Sequence, residues 1–304
     1  MYSFSTCWNS ARHTDGRVML REIRELGFQY AELSHGIRIS LVPGILEAVN
    51  AGEMKISSLH NFCPLPVGIT GPSPNLYEFS SDRDRDRQLA LKHTLTTFDF
   101  AVKVGAPLVV LHFGSMDLKD YTGKLKELHE RGERGSPKFQ KLVAEAAAAR
   151  EAKKKKSYDH ARDTLRELYG EAKVRGLKLG IEIREAVEEL PLESDFASLL
   201  KEFPAPVVYY WHDTGHAQIK TDLGFIDHVR FLAERADRLA GFHIHDVKFP
   251  ARDHFPPGGG DIDFAALQPH VRPEHIKVFE LSPKVPLDSV TRGIAHLKRI
   301  WGED

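Results

Sequence analysis

Glu32, His60, His112, Glu182, Asp213, His216, His243, His245 and Glu280 each stand at or just past the end of an apolar, strand-like run. Carboxylates and imidazoles together are the donor set of a divalent cation, and such an ion suits chemistry on an oxygen-rich substrate. Glu182 in GIEI and Glu280 in VFEL lie among apolar residues. A carboxylate buried there without a cation or a hydrogen-bond donor is costly, so each needs a partner. Asp213, in HDTGH, either closes an Asx turn or joins His216 at a metal or substrate. His243 and His245 share one face of a strand, because side chains alternate. The expectation is one ligand and one group contacting substrate or steadying a ligand. His212 faces away from Asp213 and reads as a packing histidine. His60 and His112 line the same site, and Glu32 either supports the ligands or forms a structural ion pair.

These positions converge only if the strands do. Strand-like segments fall at residues 2–8, 29–34, 55–60, 108–112, 177–183, 207–212, 240–246 and 276–281, with helical patterns between them. Expected helices include 157–175, 194–203 and 223–236, and Asp263 is set to cap a short one. Eight strand–helix alternations predict an α/β fold of the (β/α)8 TIM-barrel type, whose strand ends of one polarity meet at one mouth. The rhythm breaks at 113–156, read as a helical insertion on the loop after strand 4. The run Lys153–Lys156 is its charged end. A Pro/Gly-rich loop over 61–80 reads as irregular backbone at the mouth. In the 247–262 loop, Gly258–Gly260 allow close backbone approach to a ligand. No linker or repeat divides the chain, so residues 1–304 are expected to form a single barrel domain.

The bulk composition narrows the function. Lys+Arg number 42 against 43 Asp+Glu, so no basic excess points to nucleic acid. Two cysteines make no disulfide framework and fit a reducing compartment. The start lacks a signal-peptide pattern and no apolar run is long enough for a membrane span. A cytoplasmic protein with no membrane partner is expected.

The motifs AELS, SLHN, LHFG, GIEI, HDTGHA, HIHD followed by DHFPPGGGDIDF, and FELSP resemble the sugar phosphate isomerase/epimerase superfamily. These are the xylose isomerase-like barrels that include apurinic endonuclease family 2. The resemblance spans the chain apart from 113–156. It implies one divalent ion (manganese, magnesium, cobalt or zinc) on Glu182, Asp213, His243 and Glu280. It implies Glu182 and Glu280 as the acid/base pair, and Glu188, six residues after Glu182, as a substrate contact. His60, His112, His216, His245 and His254 complete the group expected around substrate.

The endonuclease branch holds three zinc ions, and His60, His112, Glu182, Asp213, His216, His243, His254 and Glu280 match its ligands. Where that branch has an aspartate two residues before the loop histidine, this chain has Arg252. A guanidinium repels zinc and suits an anionic substrate group instead. The expected function is therefore a metal-dependent isomerase or epimerase of a small sugar, sugar phosphate or keto-polyol, working through an enediolate. A keto-polyol dehydratase of the inosose dehydratase type is the alternative, with a zinc phosphodiesterase or apurinic endonuclease behind it. A small carbohydrate is the expected partner, nucleic acid is not, and homo-oligomer formation stays open.

Overall fold

The computed structural model describes residues 1–249 and 251–303. Pro250, in the 247–262 loop, and Asp304, at the end of the expected domain, lie outside the described residues. Eight parallel strands close a barrel: β1 (Tyr2–Ser5), β2 (Tyr30–Leu33), β3 (Lys55–His60), β4 (Leu108–Leu111), β5 (Lys178–Glu182), β6 (Val208–Asp213), β7 (Leu239–Ile244) and β10 (Ile276–Phe279). β10 closes the ring by pairing with both β7 and β1. Between β7 and β10 a two-stranded hairpin, β8 (Asp246–Lys248) and β9 (Arg252–Phe255), stands apart from the barrel sheet.

The helices pack outside the ring: α1 (Gly16–Glu25), α2 (Val42–Asn50), α3 (Asp84–Val104), α4 (Tyr121–Glu130), α5 (Pro137–Arg175), α6 (Phe196–Glu202), α7 (Thr214–Asp222), α8 (His228–Ala233), α9 (Phe264–Leu267) and α10 (Leu287–Trp301). Their starts follow from capping chemistry. The Asp15 carboxylate accepts from the N–H groups of Arg17 and Val18, and Asp263 accepts from Ala265 and Ala266. No helix among the described residues is long and apolar enough to cross a membrane.

The barrel interior is filled rather than hollow. Leu108, Val110, Trp211, Ile276 and Val278 form an apolar layer of their own inside the ring. Gly241 makes room for the Trp211 ring: a Cβ there would lie 2.7 Å from it and 2.3 Å from the Ile276 carbonyl. The polar strand ends sit above this plug.

Three segments depart from the expected boundaries. The helix expected at 157–175 begins twenty residues earlier and runs unbroken through Pro137–Arg175, so residue 156 is no boundary. Ser136 caps that helix, accepting from the Phe139 N–H at 3.1 Å, and alanine-rich sequence propagates it. The lysine run lies inside it, with Lys154, Lys155 and Lys156 paired to Asp195, Asp159 and Asp82. The helix expected at 223–236 shortens to α8, and α7 precedes it where no helix was expected, because Asp213 ends its strand by capping α7 directly. The 247–262 segment, expected as a glycine-rich loop, contains the β8–β9 hairpin, while 61–80, expected as irregular backbone, carries neither helix nor strand.

Candidate metal and sugar site

Glu182, Asp213, His243 and Glu280 close or follow β5, β6, β7 and β10, and all four are buried. One ligand atom from each lies within 4.8 Å of the others. His243 is the hub: its Nδ1 is 2.6 Å from Glu182 Oε1 and 3.2 Å from Glu280 Oε2, and its Nε2 is 3.1 Å from Glu32 Oε2. Its ring stands edge-on to Trp211, which fixes its height above the barrel plug. Burial alone would lower the His243 pKa, but Glu280, Glu32 and Glu182 outweigh it and raise it well above the ordinary value. Burial pushes the Glu182 carboxyl upward, yet the charge on His243 holds it well below the usual range.

Two further histidines aim at Glu182. His112 Nδ1 donates to Asn75 Oδ1 at 2.7 Å, leaving Nε2 with a lone pair. That Nε2 lies 2.7 Å from Glu182 Oε2 but makes no hydrogen bond to it. Burial, with Arg184 next, lowers the His112 pKa to about 3, so the ring is neutral. Two acceptor atoms this close, without a proton directed between them, could share a cation. His60 Nδ1 donates to the Asn61 carbonyl at 3.0 Å, and its Nε2 is 3.8 Å from the same carboxylate oxygen. The donor set thus fits a divalent ion, with each imidazole oriented through its other nitrogen.

Asp213 closes the turn that was one of the two readings for it. Oδ1 caps α7, accepting the His216 N–H at 2.7 Å, while Oδ2 lies 3.1 Å from His245 Nε2. His245 orients Asp213 rather than facing the cavity. Its Nδ1 accepts the His254 N–H at 2.9 Å, and that bond needs a lone pair there, opposing the upward pull of Asp213 on the ring's pKa. Gly215 accommodates the ring, since a Cβ there would come within 1.9 Å of it. Asp213, His216 and His245 form another potential ligand group, as do His60, His112 and Glu182, and His245, His254 and Glu280.

A cavity of about 780 Å³ opens over this cup. His60, His112, Glu182, His216, His254 and Glu280 line it, whereas Asp213, His243 and His245 sit beneath. Two expected residues do not join the group. Glu188 turns to α4, where its carboxylate accepts from the N–H groups of Tyr121 and Thr122 at 2.7 and 3.1 Å. Arg252 is exposed on β9, and its neighbour Asp253 lines the cavity, 3.1 Å from His254 Nδ1.

Glu32 is buried under His243, with Ser58 Oγ donating to it at 2.8 Å. His212 bonds Tyr210 and His228 at 2.6 and 3.0 Å, away from the cup. Gly258 and Gly260 approach a carboxylate of their own chain: both N–H groups donate to Asp246 at 2.9 Å.

Sequence reasoning passed over Arg184, Asn75, His35 and Asp253. Arg184 Nη1 lies 3.1 Å from Glu182 Oε2, and its Nε bonds Glu189 at 3.1 Å. Burial opposes these charges, but Arg184 and its neighbours hold Glu189 down to about 2. Alternation along β5 was a signal for Arg184, two residues past Glu182. Asn75 and Asp253 sit in loops, where no period applies.

The family model described as xylose isomerase-like TIM barrel matches residues 20–299. No curated protein matched the chain in sequence. Among solved structures, a D-tagatose 3-epimerase-like protein aligns with TM-score 0.69 at 16% identity, covering 98% of this chain and 96% of its own. A 3-keto-D-glucoside 4-epimerase from E. coli gives 0.66 at 16%, covering 98% of each chain. An L-ribulose 3-epimerase gives 0.64 at 14%, covering 99% of this chain and 87% of its own. At such identities the likeness is one of fold.

Proposed function

Since the chain belongs to the xylose isomerase-like TIM-barrel family, we propose that it is a divalent-metal-dependent epimerase or isomerase of a carbohydrate. The observation carrying this reading is the convergence of Glu182, Asp213, His243 and Glu280, all buried, within 4.8 Å. The likeness in fold to proteins named as epimerases supports the same direction. The four residues would hold one divalent ion, which would polarise a sugar carbonyl and its neighbouring hydroxyl and so acidify the C–H between them.

The chain's own groups supply the proton transfers. Glu182 is held ionised and is the ready base; Glu280 approaches the same His243 nitrogen, Nδ1, at 3.2 Å. Glu182 takes the proton from carbon, leaving an enediolate. Delivery of a proton that Glu280 carries into the step, to the opposite face of the same carbon, gives an epimer and leaves Glu182 protonated and Glu280 ionised; return of a proton to the neighbouring carbon gives an isomer. Arg184, beside Glu182 and His216, places positive charge at the cavity floor where the oxyanion develops.

The test pairs metal analysis with deuterium exchange. The reading expects about one divalent ion per chain and deuterium wash-in from D2O at a substrate carbon. Glu182→Gln and Glu280→Gln are each expected to reduce exchange by roughly 10²–10⁴-fold, the usual worth of general acid–base catalysis. Full activity in both variants on an identified substrate would rule the acid/base pair out.

The additional ligand groups favour a second reading, a multinuclear hydrolytic site. Asp253, next to His254, supplies a carboxylate near the position where Arg252 had counted against it. Two or three zinc ions per chain, with cleavage of abasic DNA, would select that reading.

A further inference from the structure

The cavity is larger and more apolar than a free sugar needs. Its 780 Å³ lies within the roughly 300–1,000 Å³ typical of pockets for drug-sized ligands, and a hexose fills only part of that. The cup occupies the floor. Ser34, His35 and Ser282, just past the ends of β2 and β10, add polar lining there. The 61–80 loop contributes Leu65, Ile69, Pro72 and Pro74, and Ala11 and Leu281 continue the apolar lining. Sugar hydroxyls against such a wall would lose hydrogen bonds to water without replacement.

The wall does not suit a phosphate either. Arg38 and Arg184 are the lysine or arginine side chains that line the cavity among the described residues. Arg38 donates through Nη2 to the carbonyls of Ser10 and His13. Arg184 is committed to Glu182, Glu189 and His216. Arg252, the cation expected to meet an anionic group, does not line the cavity.

We propose that the outer half of the cavity is a subsite for an uncharged, apolar aglycone, so that the substrate is a glycoside whose sugar ring carries a ketone and lies over the metal cup. The inference rests on the carbohydrate reading above and narrows its substrate class. The reacting sugar carbons sit at Glu182 and Glu280, and the aryl or alkyl substituent packs against Leu65, Ile69, Pro72 and Pro74. The subsite discriminates by burial of apolar surface, not by charge.

Binding to the metal-loaded protein by titration calorimetry tests this with matched pairs. The probes are 4-nitrophenyl and methyl β-D-glucopyranoside, and the same two glycosides oxidised at C3. The aryl member of a pair is expected to bind roughly tenfold or more tightly than the methyl member, since even one methylene in a hydrophobic pocket is worth that much. Ile69→Asp should remove most of the gain while leaving methyl glycoside binding and metal content unchanged, and Ile69→Leu should retain it. Equal affinities, binding by no probe, or a gain untouched by Ile69→Asp would overturn the subsite. The parent reading fails separately: an aryl gain without deuterium exchange keeps the subsite and removes the enediolate chemistry. Exchange on free ketoses with no aryl gain does the reverse.

Discussion

At Glu182, burial and charge pull in opposite directions, and charge wins because the His243 ring lies 2.6 Å from the carboxylate. The same arithmetic makes the cup depend on residues that touch no ligand position. Asn75 Oδ1 accepts from His112 Nδ1 and so fixes which nitrogen faces Glu182. Asn75→Ala frees the ring to rotate or change tautomer. Divalent metal affinity is then expected to fall about 10–100-fold, the usual cost of losing such a support. Equilibrium dialysis with the metal alone measures it, and unchanged affinity would remove His112 from the ligand sphere. Glu182, Asp213, His243 and Glu280 were legible one at a time, as acids and imidazoles closing apolar runs. Glu188 and Arg252 were placed by their positions in the family's motifs, and a motif position does not fix where a loop side chain turns. The 2.7 and 3.1 Å bonds that turn Glu188 to α4 depend on a helix more than sixty residues away.

Between residues and molecule stand the loops that carry the site. The β8–β9 hairpin and the glycine-rich turn after it are organised around one buried carboxylate. Asp246 accepts from the N–H groups of Val247, Gly258, Gly260 and Ile262 at 2.9–3.1 Å. Gly260 admits no side chain, because a Cβ there would meet the Val247 carbonyl at 2.2 Å. Asp246→Ala leaves several donors without a partner and should cost about 3 kcal/mol or more, given about 1–3 kcal/mol for each buried donor orphaned. Urea denaturation measures this, and a loss under about 1 kcal/mol would mean water replaces the carboxylate. The sequence reading saw the glycines and expected an outside ligand. A carboxylate from the same chain meets the same need, and local sequence does not distinguish them. In α5 the opposite error occurred: a helix boundary was placed at a charge run that the tertiary fold pairs with Asp82 and Asp195.

For the molecule as a whole, two buried sets of groups set the acid limit. Burial lowers His228 and His275 from the ordinary 6.5 to about 4. The unfolded chain therefore takes up protons first as pH falls. Their contribution is complete above 6.5 and is lost by about 4. Burial pushes Glu193 up, but Lys220 and Arg150 hold it down at about 2 against an ordinary 4.5. Its contribution is present above 4.5 and disappears as pH falls toward 2. The melting temperature should therefore fall from pH 7 to 4 and again toward 2; a flat profile between 7 and 4 would refute the buried neutral histidines. Metal links to the same quantity. The buried carboxylates around His243 repel one another, so a bound ion should stabilise the fold by about 2.7 kcal/mol at a hundred times its Kd. A chelator should lower the melting temperature accordingly, and no shift would mean that the cup holds no ion.

The amino-acid sequence by itself determined the barrel and the identity of the cup residues. Both are written in local periodicity: eight apolar runs, each closed by a polar cluster, at spacings that require helical crossovers. Only the tertiary structure decided the roles within that set: which imidazole nitrogen faces a carboxylate, that His245 lies beneath the cavity, and that the 61–80 loop lines its outer half with apolar residues. Those outcomes depend on contacts between segments far apart in the chain, whose geometry is set by packing around Trp211 and the hairpin rather than by any local pattern.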